Sequence, residues 1–518
     1  MSGRHAGVIV PTFSIRSASD WGVGELPDLA GMAAWLASAG QSSLHTLPLA
    51  ERATGEQSPY SALSAFAIDP IHVGVDLVSD FVAIGGRTAL ADEERDAIAR
   101  LRAQHGIDYD GVRALKEKAL ALAFARFERD ELAAATPRAR RFEAFQAAEA
   151  AWLEDYALYR AFRTLHGETS WVGWPEDLRR RDVAARLRTG ATFRREMTFR
   201  AYLQWVAYEQ LADARRTAKR CGVEIVGDLP FTVAVDSADV WSRQDEFDVA
   251  VSIGAPPDAF NADGQDWTLP AFRWDVVRGN GFGWLRERLT HVGRWLDGAR
   301  LDHVVGYFRT FVRPRDHPPH FEPAMPDEQR ALGAAALDVV REVGAAIRVI
   351  AEDLGDVPPF VREEMAARGL PGYRVLRWES DGPAFRDPRG FPACSVATTG
   401  THDTSALAAW WSDELDAEAR HRLADVPVFA ALREAGPAFT PAVHEALVDG
   451  LYAAGSDVAL LQIQDVFGTP DRINTPATIG DHNWSYRIPL AVEQLASAAG
   501  RERAAWLRAL ARRHGRAA

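Results

Sequence analysis

The chain has 518 residues and a formal net charge of −13, because 72 Asp and Glu outnumber 59 Lys and Arg. This balance argues against nucleic acid and anionic membranes as partners, and it is compatible with a neutral substrate. The sequence has no apolar run of about eighteen residues, so we expect no transmembrane helix, and its first residues show neither a long apolar region nor a small-residue cleavage site. Two cysteines without metal-type spacing indicate a reducing compartment, so we expect a cytoplasmic protein.

Eight short apolar segments rich in β-forming residues recur along the chain, and most are followed by a helical pattern. A strand followed by a helix, repeated eight times, predicts an α/β fold of the (β/α)8 TIM-barrel type. The predicted strands are Gly7–Thr12, Ser43–Leu49, Val223–Asp228, Ala299–His303, Ile347–Asp353, Tyr373–Trp378, Ser395–Asp403 and Val458–Asp465.

Two intervals are too long to be simple connections within one catalytic barrel spanning residues 1–518. Residues 50–219, between the second and third strands, begin as a loop and continue as an Ala-, Arg- and Glu-rich helical pattern, which predicts a helical insertion subdomain. Residues 231–282 are interrupted by Gly and Pro, which disfavour regular structure. A long loop over the strand ends is a typical place for a substrate lid, so we expect an active-site loop there.

Acidic residues stand at the ends of five predicted strands, where barrel enzymes carry their chemistry. A single acid in such a place is usually a helix cap or a turn former. Four or five on one face would raise one another's pKa, which a purely structural arrangement would avoid. They are Asp228, Asp302, the pair Glu352 and Asp353, Asp403 and Asp465.

Converging carboxylates suit glycoside chemistry. One carboxylate attacks the anomeric carbon, and a second, held protonated, gives its proton to the leaving oxygen. The alternative is a divalent metal site, although the positive charge of Arg300 opposes a cation there. A purely structural interpretation of Arg300 and Asp302 is equally open, in which they form an ion pair that closes a strand.

A series of short motifs then extends over nearly the whole chain in a constant order. They are Ser58-Pro59-Tyr60 with Ser64-Ala65-Phe66-Ala67, Trp171-Val172-Gly173-Trp174-Pro175, Gly227-Asp228-Leu229-Pro230 with Asp236-Ser237-Ala238-Asp239-Val240-Trp241, Pro257-Asp258 with Gly264-Gln265-Asp266-Trp267, Arg300-Leu301-Asp302-His303, Ala351-Glu352-Asp353-Leu354-Gly355, Gly400-Thr401-His402-Asp403, and Asn474-Thr475-Pro476 with Asn483-Trp484. In this order and spacing they resemble the 4-α-glucanotransferases of the amylomaltase type, glycoside hydrolase family 77 of the α-amylase clan.

The resemblance implies a role for each matching residue. Asp302 is implied as the nucleophile, Glu352 as the general acid/base and Asp403 as the third acid that stabilises the transition state. The implied substrate-binding residues are Arg300, His402, Asp228, Tyr60, Asp258, Phe260, Gln265, Trp267 and Trp378. The chain departs from the common family pattern at Val304 and Val305 and after Trp267, but no departure removes a catalytic acid.

The main hypothesis is therefore a retaining 4-α-glucanotransferase that acts on maltooligosaccharides and α-1,4-glucans and needs no cofactor or metal. An α-1,4-glucan hydrolase of the same clan is the second hypothesis, because water and sugar compete for the same intermediate. A catalytically silent glucan-binding protein is the third. Incubation with maltotriose distinguishes them by its products.

Overall fold

The computed structural model describes residues 3–181, 183–257, 264–476 and 478–517, and all of their side chains except those of residues 183–192. The strands within these ranges are β1 His5–Ile9, β2 Ser43–His45, β3 Glu224–Leu229, β4 Phe247–Ala255, β5 Gln265–Phe272, β6 Gly298–Leu301, β7 Thr310–Pro314, β8 His320–Glu322, β9 Arg348–Ala351, β10 Gly372–Val375, β11 Ser380–Asp381, β12 Ala384–Phe385, β13 Ser395–Thr398 and β14 Val458–Gln462.

The α-helices are numbered in the same way along the chain. They are α1 Asp28–Ser38, α2 Ser79–Ala83, α3 Asp92–Ala103, α4 Tyr109–Phe127, α5 Pro137–Ala148, α6 Ala150–Leu165, α7 Glu176–Arg179, α8 Val183–Arg220, α9 Ala238–Ser242, α10 Trp274–Gly279, α11 Gly283–Trp295, α12 Pro326–Val343, α13 Pro359–Ala367, α14 Leu407–Ala409, α15 Ala417–Asp425, α16 Pro441–Tyr452, α17 Ile463–Phe467 and α18 Ala498–Arg513.

Eight parallel strands close into a barrel in the order β1-β14-β13-β10-β9-β6-β3-β2, which confirms the predicted (β/α)8 fold. β1, β13 and β14 are buried along their whole length, as expected for barrel strands covered by helices. Seven of the eight barrel strands end earlier than predicted at their carboxyl ends, whereas β3 ends at Leu229, one residue beyond the predicted Asp228. β13, for example, stops at Thr398, because the chain turns into the loops that carry the polar residues.

The helices outside the barrel form where apolar residues recur on one face. In α12, Leu332, Ala336 and Val340 are buried, whereas the first turn carries Asp327 and Glu328, whose charge suits the positive end of the helix. The interval between β2 and β3 contains helices α2 to α8. None of the helices in the described residues is both long and apolar enough to span a membrane.

Residues 231–282 differ from the expectation of irregular structure. β4 and β5 pair antiparallel within this interval and continue through β7 and β8 into a four-stranded sheet. Buried Phe247, Ile253 and Phe272 supply its apolar face. The register shifts between Asp248 and Ser252, which pairs with Pro270, so an irregularity accommodates a residue that cannot donate to the strand ladder.

Candidate active site

Arg300 lies between two aspartates near the carboxyl end of the barrel. In the strand register, Arg300 of β6 faces Asp228 of β3. One of its guanidinium nitrogens, Nη1, donates to both oxygens of Asp228 at 2.9 and 2.7 Å, and the same atom lies 2.9 Å from Oδ1 of Asp302. Asp228 is almost fully buried, whereas the side chain of Asp302 is 22% exposed. The guanidinium therefore compensates two carboxylates, of which Asp302 is the more exposed.

Asp302 and Glu352 are fixed next to each other by the continuation of the barrel hydrogen bonds. The amide of Asp302 donates to the carbonyl of Leu229, and the amide of Glu352 donates to the carbonyl of Leu301. Oε2 of Glu352 then lies 3.9 Å from Nη2 of Arg300, which places both carboxyl groups around one guanidinium.

Glu352 is held by backbone donors as well. The amides of His303 and Leu354 each donate to one of its carboxyl oxygens at 2.9 Å. His303 has a φ of +47°, in the left-handed region, and this turn aims its amide toward Glu352. Burial, together with the negative charge of Asp302, raises the pKa of Glu352 to about 7, against the opposing effect of Arg300. Burial thus favours the protonated form of Glu352.

Asp403 lies in the loop after β13. Its Oδ1 accepts a 2.6 Å hydrogen bond from Nδ2 of Asn474, and its backbone carbonyl accepts from Arg472. Nε2 of the preceding residue, His402, lies 3.5 Å from Oδ2 of Asp403. The side chain of Asp403 is 42% exposed, so much of the carboxylate remains accessible.

An aromatic wall stands beside Asp228, and we define it as Tyr60, His402 and Trp484. The hydroxyl of Tyr60 donates to Asp228 at 2.8 Å, and its ring stacks on His402 with centroids 5.0 Å apart. The Trp484 ring contacts both of the others, at 5.9 Å from Tyr60 and 5.6 Å from His402. Aromatic faces of this kind pack against the apolar faces of sugar rings.

The hairpin β4–β5 reaches the other side of the site. The ring of Trp267, in β5, packs edge-on against the ring of His303 with centroids 5.0 Å apart, and its indole N–H donates to Gln265 at 3.0 Å. Trp267 is only partly buried. The two predicted loop residues Gln265 and Trp267 are thus connected through His303 to the acids.

The three other predicted positions are Trp378, Asp258 and Phe260. Trp378, just after β10, is 48% exposed, as a surface stacking platform would be. Asp258 and Phe260 lie outside the described residues.

Two of the acids that end predicted strands have structural partners instead. Asp353 is fully buried and accepts from the amide of Tyr373 and from Arg362. Asp465 accepts from the hydroxyl of Thr399 at 2.5 Å and from the amide of Leu407 at 2.7 Å. Asp353 and Asp465 therefore have the structural role that an acid at a strand end usually has, which is to stabilise a turn or loop.

Trp484, Asn474 and the backbone of His303 were not assigned to the site from the sequence. Both Asn474-Thr475-Pro476 and Asn483-Trp484 are motifs of the resemblance without an assigned role. The contact of Asn474 with Asp403 bridges 71 positions, which no local pattern reveals. Regarding the alternative of a metal site, no group of three His, Cys, Asp or Glu residues suited to a metal ion occurs within the described part of the chain.

Comparison with known proteins places this geometry in a family. The model of glycoside hydrolase family 77, described as 4-alpha-glucanotransferase, matches residues 10–492. The 4-alpha-glucanotransferase of Thermus thermophilus is 31% identical over 471 residues, covering 88% of this chain and 89% of the relative. That of Chlamydia muridarum is 30% identical over 509 residues, covering 95% and 92%.

Solved structures agree with this assignment. The amylomaltase from Corynebacterium glutamicum aligns with a TM-score of 0.81 at 25% identity, covering 98% of this chain and 75% of that one. The fold is also that of an amylomaltase from Streptococcus agalactiae, solved with acarbose, at a TM-score of 0.84 and 23% identity, covering 99% and 100%. The chain belongs to glycoside hydrolase family 77 and is a 4-α-glucanotransferase of the amylomaltase type.

Proposed function

We propose that this enzyme transfers segments of α-1,4-glucan from a maltooligosaccharide or starch-like chain to the 4-hydroxyl of another glucan or of glucose, with retention of configuration. The observation that carries the proposal is the contrast between Asp302 and Glu352. Asp302 lies against the cation of Arg300, whereas burial holds the pKa of Glu352 at about 7. One carboxylate suited to attack and one acid suited to donate a proton are what double displacement requires.

In the first step, Asp302 attacks the anomeric carbon and forms a covalent glycosyl ester, while Glu352 gives its proton to the departing glucan oxygen. In the second step, Glu352, now a carboxylate, takes the proton of the incoming 4-hydroxyl, which displaces Asp302. Arg300 supports the negative charge of Asp302 in both steps, and the amides of His303 and Leu354 orient Glu352.

The remaining polar residues suit sugar binding. We assign Asp228, Tyr60 and His402 to the donor sugar next to the scissile bond, since their polar atoms converge there. Asp403 has an accessible carboxylate for two sugar hydroxyls and for the positive charge of the transition state. Trp267 and Gln265 are assigned to the acceptor side, and exposed Trp378 to a more distant part of the glucan.

Incubation with maltotriose tests the reaction. Transfer produces glucose together with a ladder of longer sugars, whereas a hydrolase produces only shorter ones. The variant Asp302→Asn is expected to lose roughly 10³-fold or more of the rate, because the remaining groups cannot form the ester. Trapping with a fluorinated donor should label Asp302. A label on another residue, or an active Asp302→Asn variant with an unchanged fold, would contradict the mechanism.

A further inference from the structure

The loop that carries Tyr60 is anchored by a buried bracket in the region between β2 and β3. We define the bracket as Arg52, Asp69, Tyr109 and Arg113. Nη1 of Arg52 donates at 2.8 Å to the carbonyl of Gln57, three residues before Tyr60, and its Nε lies 3.3 Å from Asp69. Asp69 is fully buried, so Arg52 holds the loop from inside the protein.

The bracket is closed from helix α4. Arg113 donates to both oxygens of Asp69 at 2.9 Å. These two arginines hold the pKa of Asp69 below its usual value despite burial, which opposes it. A carboxylate that accepts from two guanidinium groups in a dry interior has little freedom to move. Arg52 and its hold on Gln57 are thereby tied to α4.

Tyr109, the first residue of α4, extends the bracket to the other end of the aromatic wall. Its ring lies 4.1 Å from the guanidinium carbon of Arg52. Its hydroxyl donates at 2.6 Å to the backbone carbonyl of Trp484. One buried cluster therefore holds the main chain three residues before Tyr60 and the main chain of Trp484 itself.

A second, more exposed contact joins the same two loops. Nε2 of Gln57 donates at 3.2 Å to Asp481, three residues before Trp484. The bracket and the Gln57–Asp481 hydrogen bond therefore both connect the loop before Tyr60 with the loop before Trp484. The wall is thus assembled from segments more than 400 residues apart in the chain.

We propose that Arg52 and Tyr109 are positioning residues for the donor sugar, which set the spacing of Tyr60 and Trp484 and thereby the orientation of the sugar over Asp302. This inference rests on the proposed donor site. Arg52 and Tyr109 act through the wall and not on the reacting atoms. Displacement of a binding group by about 1 Å can cost roughly 10²-fold in rate, so a small loosening of the wall is expected to be measurable.

The variant Tyr109→Phe removes the hydroxyl to Trp484 and keeps the ring next to Arg52. We expect about a tenfold lower kcat/KM for maltotriose, because the wall loosens. A tenfold factor corresponds to about 1.4 kcal/mol of transition-state stabilisation. The matched control is Tyr452→Phe, which removes a buried tyrosine hydroxyl that donates to Gln41. Gln41 precedes the first residue of β2, so this contact lies at the amino end of the barrel, opposite the site. The control should keep kcat/KM within about twofold of the parent, at a similar shift of the unfolding temperature.

A double-mutant cycle separates positioning from general stability. In the Tyr60→Ala background, the wall is incomplete, so Tyr109→Phe should cost less than about twofold in kcat/KM. Its effect on the unfolding temperature should stay the same in both backgrounds. Arg52→Lys, which lacks the planar fork, should follow the same pattern.

The proposal is overturned if Tyr109→Phe keeps the parental kcat/KM, if its loss is equal in the Tyr60→Ala background, or if Tyr452→Phe loses as much. The parent enzyme is assayed first. If maltotriose yields only shorter products, the proposed transfer is wrong, and the cycle is then measured on the hydrolysis rate. If the parent yields no products, the cycle is measured on the affinity of the parent and the variants for maltotriose by calorimetry. Failure of the proposed function therefore shows in the products of the parent enzyme, whereas failure of the bracket shows in the comparison between the variants.

Discussion

Arg300 is surrounded by three acids of the site, because its guanidinium contacts Asp228 and Asp302 and also approaches Glu352. A planar group with several N–H donors can serve partners in different directions, whereas an ammonium is a compact point charge. The two aspartates cannot both stay charged and buried side by side without such a partner.

Arg300→Lys is therefore expected to reduce transfer by roughly 10²-fold or more, although the net charge is preserved. Lys has a single nitrogen on a flexible stem, so it cannot contact both aspartates in a fixed plane and also approach Glu352 as Nη1 and Nη2 of Arg300 do. The measurement is the initial rate of glucose release from maltotriose, with circular dichroism to confirm the fold. A variant with full activity would show that Arg300 does not orient Asp302.

Glu352 provides a prediction about stability. Its pKa in the folded protein is raised to about 7 from an ordinary value of 4.5, so between these two pH values the folded state binds the proton more tightly than the unfolded state. The contribution of Glu352 to the free energy of unfolding consequently decreases as pH rises through this window. Above the window the ionised Glu352 destabilises the folded protein.

Glu352→Gln removes this penalty. At pH 8 the variant is expected to gain up to about 3 kcal/mol in the free energy of unfolding, and near pH 4.5 almost nothing, while activity is lost. Urea unfolding at the two pH values measures the difference. An equal gain at both would mean that ionisation of Glu352 is not its source.

At the scale of elements, the β4–β5 hairpin and the turn after β6 meet at His303. Gly306 leaves room for the His303 ring, because a Cβ at this position would lie 2.8 Å from Cδ2 of His303 and 2.7 Å from Cζ of Phe231. The hairpin thereby brings Trp267 next to the residue whose amide holds Glu352. An aromatic group at this point can both bind an acceptor sugar and exclude water from the intermediate.

Trp267→Ala is expected to lower the ratio of transfer to hydrolysis by about tenfold, with a smaller effect on total bond cleavage. The ratio follows from free glucose and reducing ends measured together during incubation with maltotriose. Trp378→Ala is a suitable comparison, since Trp378 is an exposed tryptophan assigned to a more distant part of the glucan. If the two variants change the ratio equally, the acceptor role of Trp267 is not specific.

At the scale of the whole molecule, the helical region between β2 and β3 is attached to the barrel by buried charge. Lys116 of α4 lies 2.6 Å from Glu25, just before α1, and it also donates to the carbonyls of Ile71 and Val73. Lys116 and Glu25 are both almost fully buried. Removing Lys116 leaves Glu25 buried without its cationic partner, where burial already raises the pKa of its carboxyl group to about 8, and it leaves the carbonyls of Ile71 and Val73 without their donor.

Lys116→Met is therefore expected to reduce the free energy of unfolding by about 3–5 kcal/mol, measured by denaturant titration. The double variant Lys116→Met with Glu25→Gln should recover part of this loss, because no isolated charge remains. If the double variant is no more stable than the single one, the loss comes from packing and not from charge.

The sequence by itself determined the barrel and the acids, because strand–helix alternation and the position of an acid after a strand are local patterns. Asp302 and Glu352 could be placed side by side once their strands were known to be parallel, since parallel strands bring their carboxyl ends to one face. The family motifs added roles for Asp403, His402 and Tyr60, which lie in loops.

Only the tertiary structure decided which polar residues meet across loops. Periodicity cannot predict that Trp484 joins Tyr60 and His402, that Asn474 reaches Asp403, or that β4 and β5 pair, because these contacts depend on loop conformation and on partners far along the chain. The same holds for the protonation of Glu352, whose raised pKa arises from burial and from a neighbouring charge. Both exist only once the chain has folded.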